Sequence, residues 1–147
     1  MKIPKLPASK LNEIFVETKD GLFGAIDSNL ESWLQQEQND TAEVDVEENY
    51  LEIHKDNQEL IESFGGEKKI ITNHTLSPQQ IKFLVENQVL QANGLSNLFF
   101  VYSKKESKLF IIGVVFDKSI SKYVPYIYRT RNVYRAWTKG NKIFVKK

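Results

Sequence analysis

The alternation of apolar and polar positions is clearest in the second half of the chain. From Leu98 onward the period is two, and the segments NLFFVYS and KLFIIGVVFD predict two β-strands joined across KKESK. The second segment is apolar on both faces, which is typical of a strand in the interior of a sheet.

Three more strands are predicted near the C-terminus, in PYIYRT, NVYRAWT and NKIFVKK. Lys139-Gly140-Asn141 lies between the last two and is a favourable turn sequence. We therefore expect these two strands to form a hairpin.

The best-marked helix precedes all of these strands. In SPQQIKFLVENQVLQANG, Ser77 is the predicted N-cap, Pro78 the first helical residue and Gln80 the partner in a capping box. Asn93-Gly94 predicts its end. Its buried stripe is expected to consist of Ile81, Leu84, Val85 and Val89.

The first 40 residues predict shorter elements. Residues 10–26 fit either a hairpin, since Asp20-Gly21 favours a tight turn, or a short helix that leads into a strand. Ser28 and Glu31 have the spacing of a capping box. The helix that they begin is expected to end near Gln38.

A strand and a further helix follow. Valines alternate with carboxylates over residues 43–47, which predicts a half-buried strand, and residues 50–53 either continue it or form a second strand. Asp56 and Glu59 predict the start of a helix, and Gly65-Gly66 supplies the left-handed residues that end it.

This segregation of helices and strands predicts an α+β fold. N-terminal helices and one or two strands come first, and a helix packed on an antiparallel C-terminal sheet of four or five strands follows. The 147 residues contain no internal repeat and no linker, so we expect a single domain over residues 1–147.

Composition excludes several kinds of chemistry. The chain has no cysteine, which excludes disulfides, thiolate zinc sites and cysteine nucleophiles. Neither a glycine-rich phosphate loop nor a Gly-x-Ser-x-Gly elbow is present. Alternating carboxylates at Glu43, Asp45 and Glu47 fit the solvent side of a strand better than a metal site, so no metal or organic cofactor is expected.

Location and origin are inferred from weaker signals. The N-terminal MKIPKLPASK lacks the apolar stretch of a signal peptide, and no segment approaches the roughly 18 apolar residues of a membrane span. These features predict a cytoplasmic protein with no membrane partner. Abundant Lys, Asn and Ile suggest an AT-rich genome, bacterial or viral.

The near-neutral net charge of +1 hides a strong asymmetry. Residues 1–67 carry 16 acidic and 5 basic side chains, whereas residues 68–147 carry 15 basic and 3 acidic ones. Such a split indicates a charged partner, or else two halves that neutralise each other within the fold. The sequence leaves both interpretations open.

All three arginines lie in YIYRTRNVYRAW, residues 126–137, interleaved with aromatic side chains. Arginine binds phosphate through two parallel hydrogen bonds, and aromatic rings stack on unpaired bases. The leading hypothesis is therefore nucleic-acid or phosphate-ligand binding, with RNA a natural target. The residues expected to contact the ligand are Arg129, Arg131, Arg135, Tyr126, Tyr128, Tyr134, Trp137, Lys139 and Lys142.

Three other interpretations stay open. Arginine next to aromatic residues in strands also arises from structural cation–π pairing. The acidic half suits a small protein inhibitor or immunity-type module that occupies a basic groove on a protein partner. A metal-independent ribonuclease is the third, and its residues to test would be Arg129, Arg135, Tyr134 and His74.

Overall fold

A computed structural model describes residues 1–131 and 136–147 of the chain. Most of the predicted strand NVYRAWT, including the candidate site residues Tyr134 and Arg135, lies outside the described residues. The helices are α1 (Leu11–Ile14), α2 (Ser28–Trp33), α3 (Asn57–Ser63), α4 (Glu67–Asn73) and α5 (Pro78–Glu86).

A six-stranded mixed sheet forms the centre of the fold. Its strands are β1 (Lys2–Ile3), β4 (Val44–Tyr50), β6 (Asn97–Ser103), β7 (Lys108–Asp117), β8 (Lys122–Arg129) and β10 (Lys142–Lys146). Their order across the sheet is β1-β4-β10-β6-β7-β8, and neighbours are antiparallel except for β10 and β6, which run parallel. Two small sheets pair β2 (Ser9–Lys10) with β3 (Glu37–Gln38) and β5 (Lys55–Asp56) with β9 (Ala136–Trp137).

Both faces of the large sheet are buried. Because side chains alternate along a strand, Phe99 and Val101 of β6 enter one hydrophobic cluster, whereas Leu98 and Phe100 enter the other. The N-terminal segment and α5 cover the first face, and α3, α4 and Trp137 cover the second. We refer to these two sides as the first face and the second face.

The predicted α+β class is confirmed, but the predicted arrangement is wrong. The sheet includes N-terminal strands, contains a parallel pair and carries helices on both faces. The predicted hairpin around residues 139–141 does not form, since β10 pairs with β4 and β6 while β9 pairs with β5. Residues 143–145 of β10 are all buried, and a strand that is apolar on both faces requires a neighbour at each edge.

The helix starts were predicted better than the helix ends. The capping boxes of Asp56 with Glu59 and of Ser77 with Gln80 are both present. Two alternatives were predicted for residues 10–26, and the short helix is present there as α1. α2 is capped by Asp27 instead of Ser28 and ends at Trp33, not near Gln38.

α5 ends earlier than predicted because a non-glycine residue stops it. Gln88 adopts a left-handed conformation with φ of 58°. Its N–H donates to the carbonyl oxygen of Val85, and the N–H of Val89 donates to that of Leu84. This is the Schellman arrangement, which is usually marked by glycine. α4 was not predicted, because it begins directly after the Gly65-Gly66 stop.

One buried side chain connects α3 to the C-terminal strands. Asn57 Oδ1 accepts a hydrogen bond from Trp137 Nε1 at 2.7 Å, and its Nδ2 donates to the carbonyl oxygen of Arg129 at 3.3 Å. Both Asn57 and Trp137 are almost fully buried. The end of β8 is therefore held by a hydrogen-bonded contact as well as by packing.

Replacing Asn57 by alanine should lower the free energy of unfolding by about 2 kcal/mol, because the buried indole N–H of Trp137 loses its acceptor. Urea unfolding followed by tryptophan fluorescence measures this change. The exposed neighbour Gln58 provides the control, and Gln58→Ala should cost less than about 0.5 kcal/mol. Equal costs for the two variants would show that the Asn57 contact does not hold this region.

Candidate functional site

Arg129 ends β8 and lies directly opposite Phe110 of β7. Its guanidinium carbon is 4.3 Å from the centre of the Trp33 ring and 5.7 Å from that of Phe110. The Trp33 and Phe110 rings are themselves stacked, with centroids 5.4 Å apart. Arg129 therefore lies on an aromatic stack that joins α2 to the sheet.

The charge of Arg129 is only partly neutralised. Its Nη1 is 3.6 Å from Glu106 Oε1, which is an ion pair but is longer than a hydrogen bond. The side chain is 45% exposed, and its guanidinium makes no hydrogen bond to the described residues. The stacking fixes the position of the guanidinium and leaves its N–H donors accessible to a ligand.

A small pocket of about 240 Å³ lies at this end of the sheet. The antiparallel pairing of β7 with β8 ends at Phe110 opposite Arg129, and Lys108 and Arg131 each lie two residues beyond this last pair. Both of these exposed cations line the pocket together with Arg129. The remaining lining residues are Glu67, Leu109, Phe110 and Thr130.

Two further lysines extend the positive charge. Lys104 and Lys105 are exposed in the turn between β6 and β7. That turn is fixed, because Ser103 Oγ donates to the carbonyl oxygen of Trp33 at 2.6 Å and accepts from the N–H of Glu106 at 3.1 Å. We call this surface the basic end of the sheet: Lys104, Lys105, Lys108, Arg129 and Arg131, with Glu67 and Glu106 as its carboxylates.

The aromatic residues predicted to stack on bases are arranged differently from the expectation. Trp137 is 1% exposed and meets the ring of Tyr128 edge-on at 5.2 Å. Tyr128 is half-buried, whereas Tyr126 is 43% exposed. Of the predicted stacking residues that the structure describes, Tyr126 alone offers a largely exposed ring.

The two predicted flanking lysines do not lie beside Arg129. Lys139 is exposed in the turn before β10. Lys142 belongs to β10, three strands away from β8, where its Nζ is 2.5 Å from Glu48 Oε1 and 5.1 Å from the centre of the Tyr50 ring. The hydrogen bond to the Glu48 carboxylate raises the pKa of Lys142, against the opposing effect of burial.

Arg129 and His74, two of the residues considered for a ribonuclease, are on opposite faces of the sheet. Arg129 packs on Trp33 and Phe110 at the first face. His74 is the C-cap of α4, and its ring packs edge-on against Phe64 at the second face. The described part of the chain therefore does not bring these two side chains together.

Part of the charge asymmetry is neutralised within the molecule. The acidic strand β4 pairs with the basic strand β10, and Lys142 contacts Glu48 across this pair. Two further ion pairs lie within the acidic half itself, where Lys2 is 3.7 Å from Glu43 and the N-terminal amine is 3.5 Å from Asp45.

Two other kinds of feature are absent from the residues that the structure describes. Nowhere among them do three or more histidine, aspartate or glutamate side chains group closely enough to hold a metal ion. In the same part of the chain, every helix is too short or too polar to cross a membrane.

Comparison with protein-family models, with curated proteins and with solved structures finds no match to this chain. The function is therefore inferred from the geometry of the basic end. Its lysines were missed from the sequence because KKESK is typical of an exposed hairpin turn, and only the structure shows that Lys108 and Arg131 line the same pocket.

Replacing Lys142 by methionine should lower the free energy of unfolding by about 1 kcal/mol at neutral pH, because the charged contact with Glu48 is lost. The pKa of Lys142 is higher in the folded protein than in the unfolded chain. The contact therefore stabilises the fold fully below about pH 10.4, the pKa of an unperturbed lysine, and this stabilisation disappears as the pH rises through the pKa of the folded state. Urea unfolding of wild type and variant at pH 7 and at about pH 11.5 measures the difference. A deficit that stays constant with pH would contradict this origin, and the exposed Lys118→Met provides the control.

Proposed function

We propose that the protein binds a phosphate-bearing ligand, in the first place single-stranded nucleic acid, at the basic end of its sheet. The observation that carries this proposal is the pocket shared by Lys108, Arg129 and Arg131. Three cations from two strands and the following turn face one small concavity, and a phosphate group is the common ligand for such a set.

Charge and preorganisation support the same ligand. The basic end has five cations and two carboxylates, so an anion gains from entering it. The guanidinium of Arg129 is already fixed by Trp33, which lowers the entropy cost of forming hydrogen bonds to phosphate.

With Lys108 added, the predicted residues divide by role. Arg131 and Lys108 contact phosphate directly, and Arg129 does so from its stacked position. Tyr126 shares the second face with Tyr128 and is the described ring on which a base beyond the pocket can stack. Trp137 and Lys142 serve the structure through Asn57 and Glu48. Contributions from Tyr134, Arg135 and Lys139 stay predictions of the sequence.

A protein partner for the acidic half is the second candidate. Among the described residues, ion pairs engage only Glu43, Asp45 and Glu48 of the carboxylates before residue 68. The other acidic side chains of this half form no ion pair there and present negative charge that a basic partner would neutralise. Charge reversal at Asp45 and Glu47 would separate this candidate from nucleic-acid binding.

The test is a fluorescence-anisotropy titration with labelled single-stranded RNA and DNA of about 12 nucleotides. The affinity of wild type should fall as the salt concentration rises. In K104A/K108A/R131A the slope of log affinity against log salt should be smaller by about 2, because each lost phosphate contact removes roughly 0.7 from the slope. Arg129 is left unchanged so that its contact with Trp33 is kept.

The matched control is K5A/K19A/K118A, which removes three exposed lysines with no ion pair among the described residues. It has the same net charge as the test variant. An equal decrease of the salt-dependence slope in both variants would show a general effect of net charge and would contradict the assignment to the basic end. Absence of binding by wild type would contradict the nucleic-acid proposal and favour the acidic half.

A further inference from the structure

A second, larger groove lies on the second face, between β4 and the helices α3 and α4. Its volume is about 680 Å³, within the range of small-molecule sites. Ile143 and Val145 form its apolar floor, and Phe64 forms an aromatic part of the wall. Arg129 is on the opposite face, so this groove is separate from the basic end.

His74 lines the groove with one ring nitrogen already bound to the backbone. Its Nδ1 is 2.8 Å from the carbonyl oxygen of Lys146, and its own carbonyl oxygen accepts the N–H of Lys146. Since a carbonyl only accepts, Nδ1 carries a proton, and in the tautomer that has this proton alone Nε2 is a hydrogen-bond acceptor. No described residue donates to Nε2.

Asn49 supplies the complementary group. It lines the groove from β4, directly opposite Ile143. Its Nδ2 is buried and has no hydrogen-bond partner among the described residues. An unpaired buried donor is costly, so a ligand acceptor at this position would recover about 1–3 kcal/mol.

The ionic groups of the groove nearly balance. Lys55 and Lys69 are offset by Glu47 and Glu62. This balance does not favour a strongly charged ligand, and the carboxylates are suitable acceptors for hydroxyl groups. The groove therefore fits an uncharged, hydroxyl-bearing molecule.

The spacing along β10 sets the length of that molecule. His74 contacts Lys146, and Asn49 pairs with Ile143 three residues earlier. At about 3.4 Å per residue these positions are about 10 Å apart, so a ligand that meets both is longer than one ring.

We propose that this groove binds a nucleoside, with the base against Phe64. Asn49 Nδ2 would donate a hydrogen bond to an acceptor atom of the nucleoside, and His74 Nε2 would accept one from a donor atom. The ribose hydroxyls would donate to Glu47 or Glu62. This proposal is independent of phosphate binding at the basic end.

The test is a ¹H–¹⁵N NMR titration of the full chain with each of the four ribonucleosides, which lack phosphate. At least one nucleoside should give saturable shifts at residues 47–51, 62–65 and 143–145. Asn49→Asp removes the donor, and His74→Asn keeps a donor for Lys146 while removing the acceptor. Each should weaken binding about tenfold, the equivalent of one hydrogen bond.

A third variant tests the location without touching a buried group. Ser63 is exposed and lines the groove, so Ser63→Trp should fill the groove and abolish the shifts. Asn12→Asp, on exposed α1 surface, is the control and should bind as wild type does. No saturable shift with any nucleoside, or equal affinity in wild type and Ser63→Trp, would overturn the proposal, as would binding of a dipeptide and no nucleoside.

Discussion

Both faces of the central strands are buried, and this burial sets the arrangement of the layers around them. Residues 109–114 of β7 are all buried, and their side chains alternate between two hydrophobic clusters. Such a strand needs a neighbour at each edge and a covering layer on each face. The N-terminal segment with α5 provides one layer, and α3 with α4 provides the other.

The covering layers on both faces of the sheet limit where charged side chains can lie. With the faces covered, charged side chains collect at the ends of the sheet and along the less covered strand β4. At one end, the stacked pair of Trp33 and Phe110 continues the core to the surface, and Arg129 closes it. The same arginine therefore completes the packing of the first face and presents its N–H donors to solvent.

Sequence patterns predicted the local features that depend on neighbouring residues. The capping boxes at Asp56 and Ser77 and the strands β6, β7 and β8 were all found in this way. Strand pairing was not predictable by the same reasoning, because β10 joins β4 and β6 through contacts that are distant in sequence. The prediction of the site had the same limit, because alternation along one segment could not show that Trp137 turns inward to Asn57 or that Lys108 and Arg131 line one pocket.

The measurement that best separates the basic end from the rest of the surface is a ¹H–¹⁵N NMR titration of the protein with a single-stranded RNA oligonucleotide. If the cations of the basic end hold phosphates, the largest shifts lie at residues 104–108 and 129–131. Largest shifts anywhere else among the described residues, or no shifts at any salt concentration, would show that the basic end of the sheet is not the binding site.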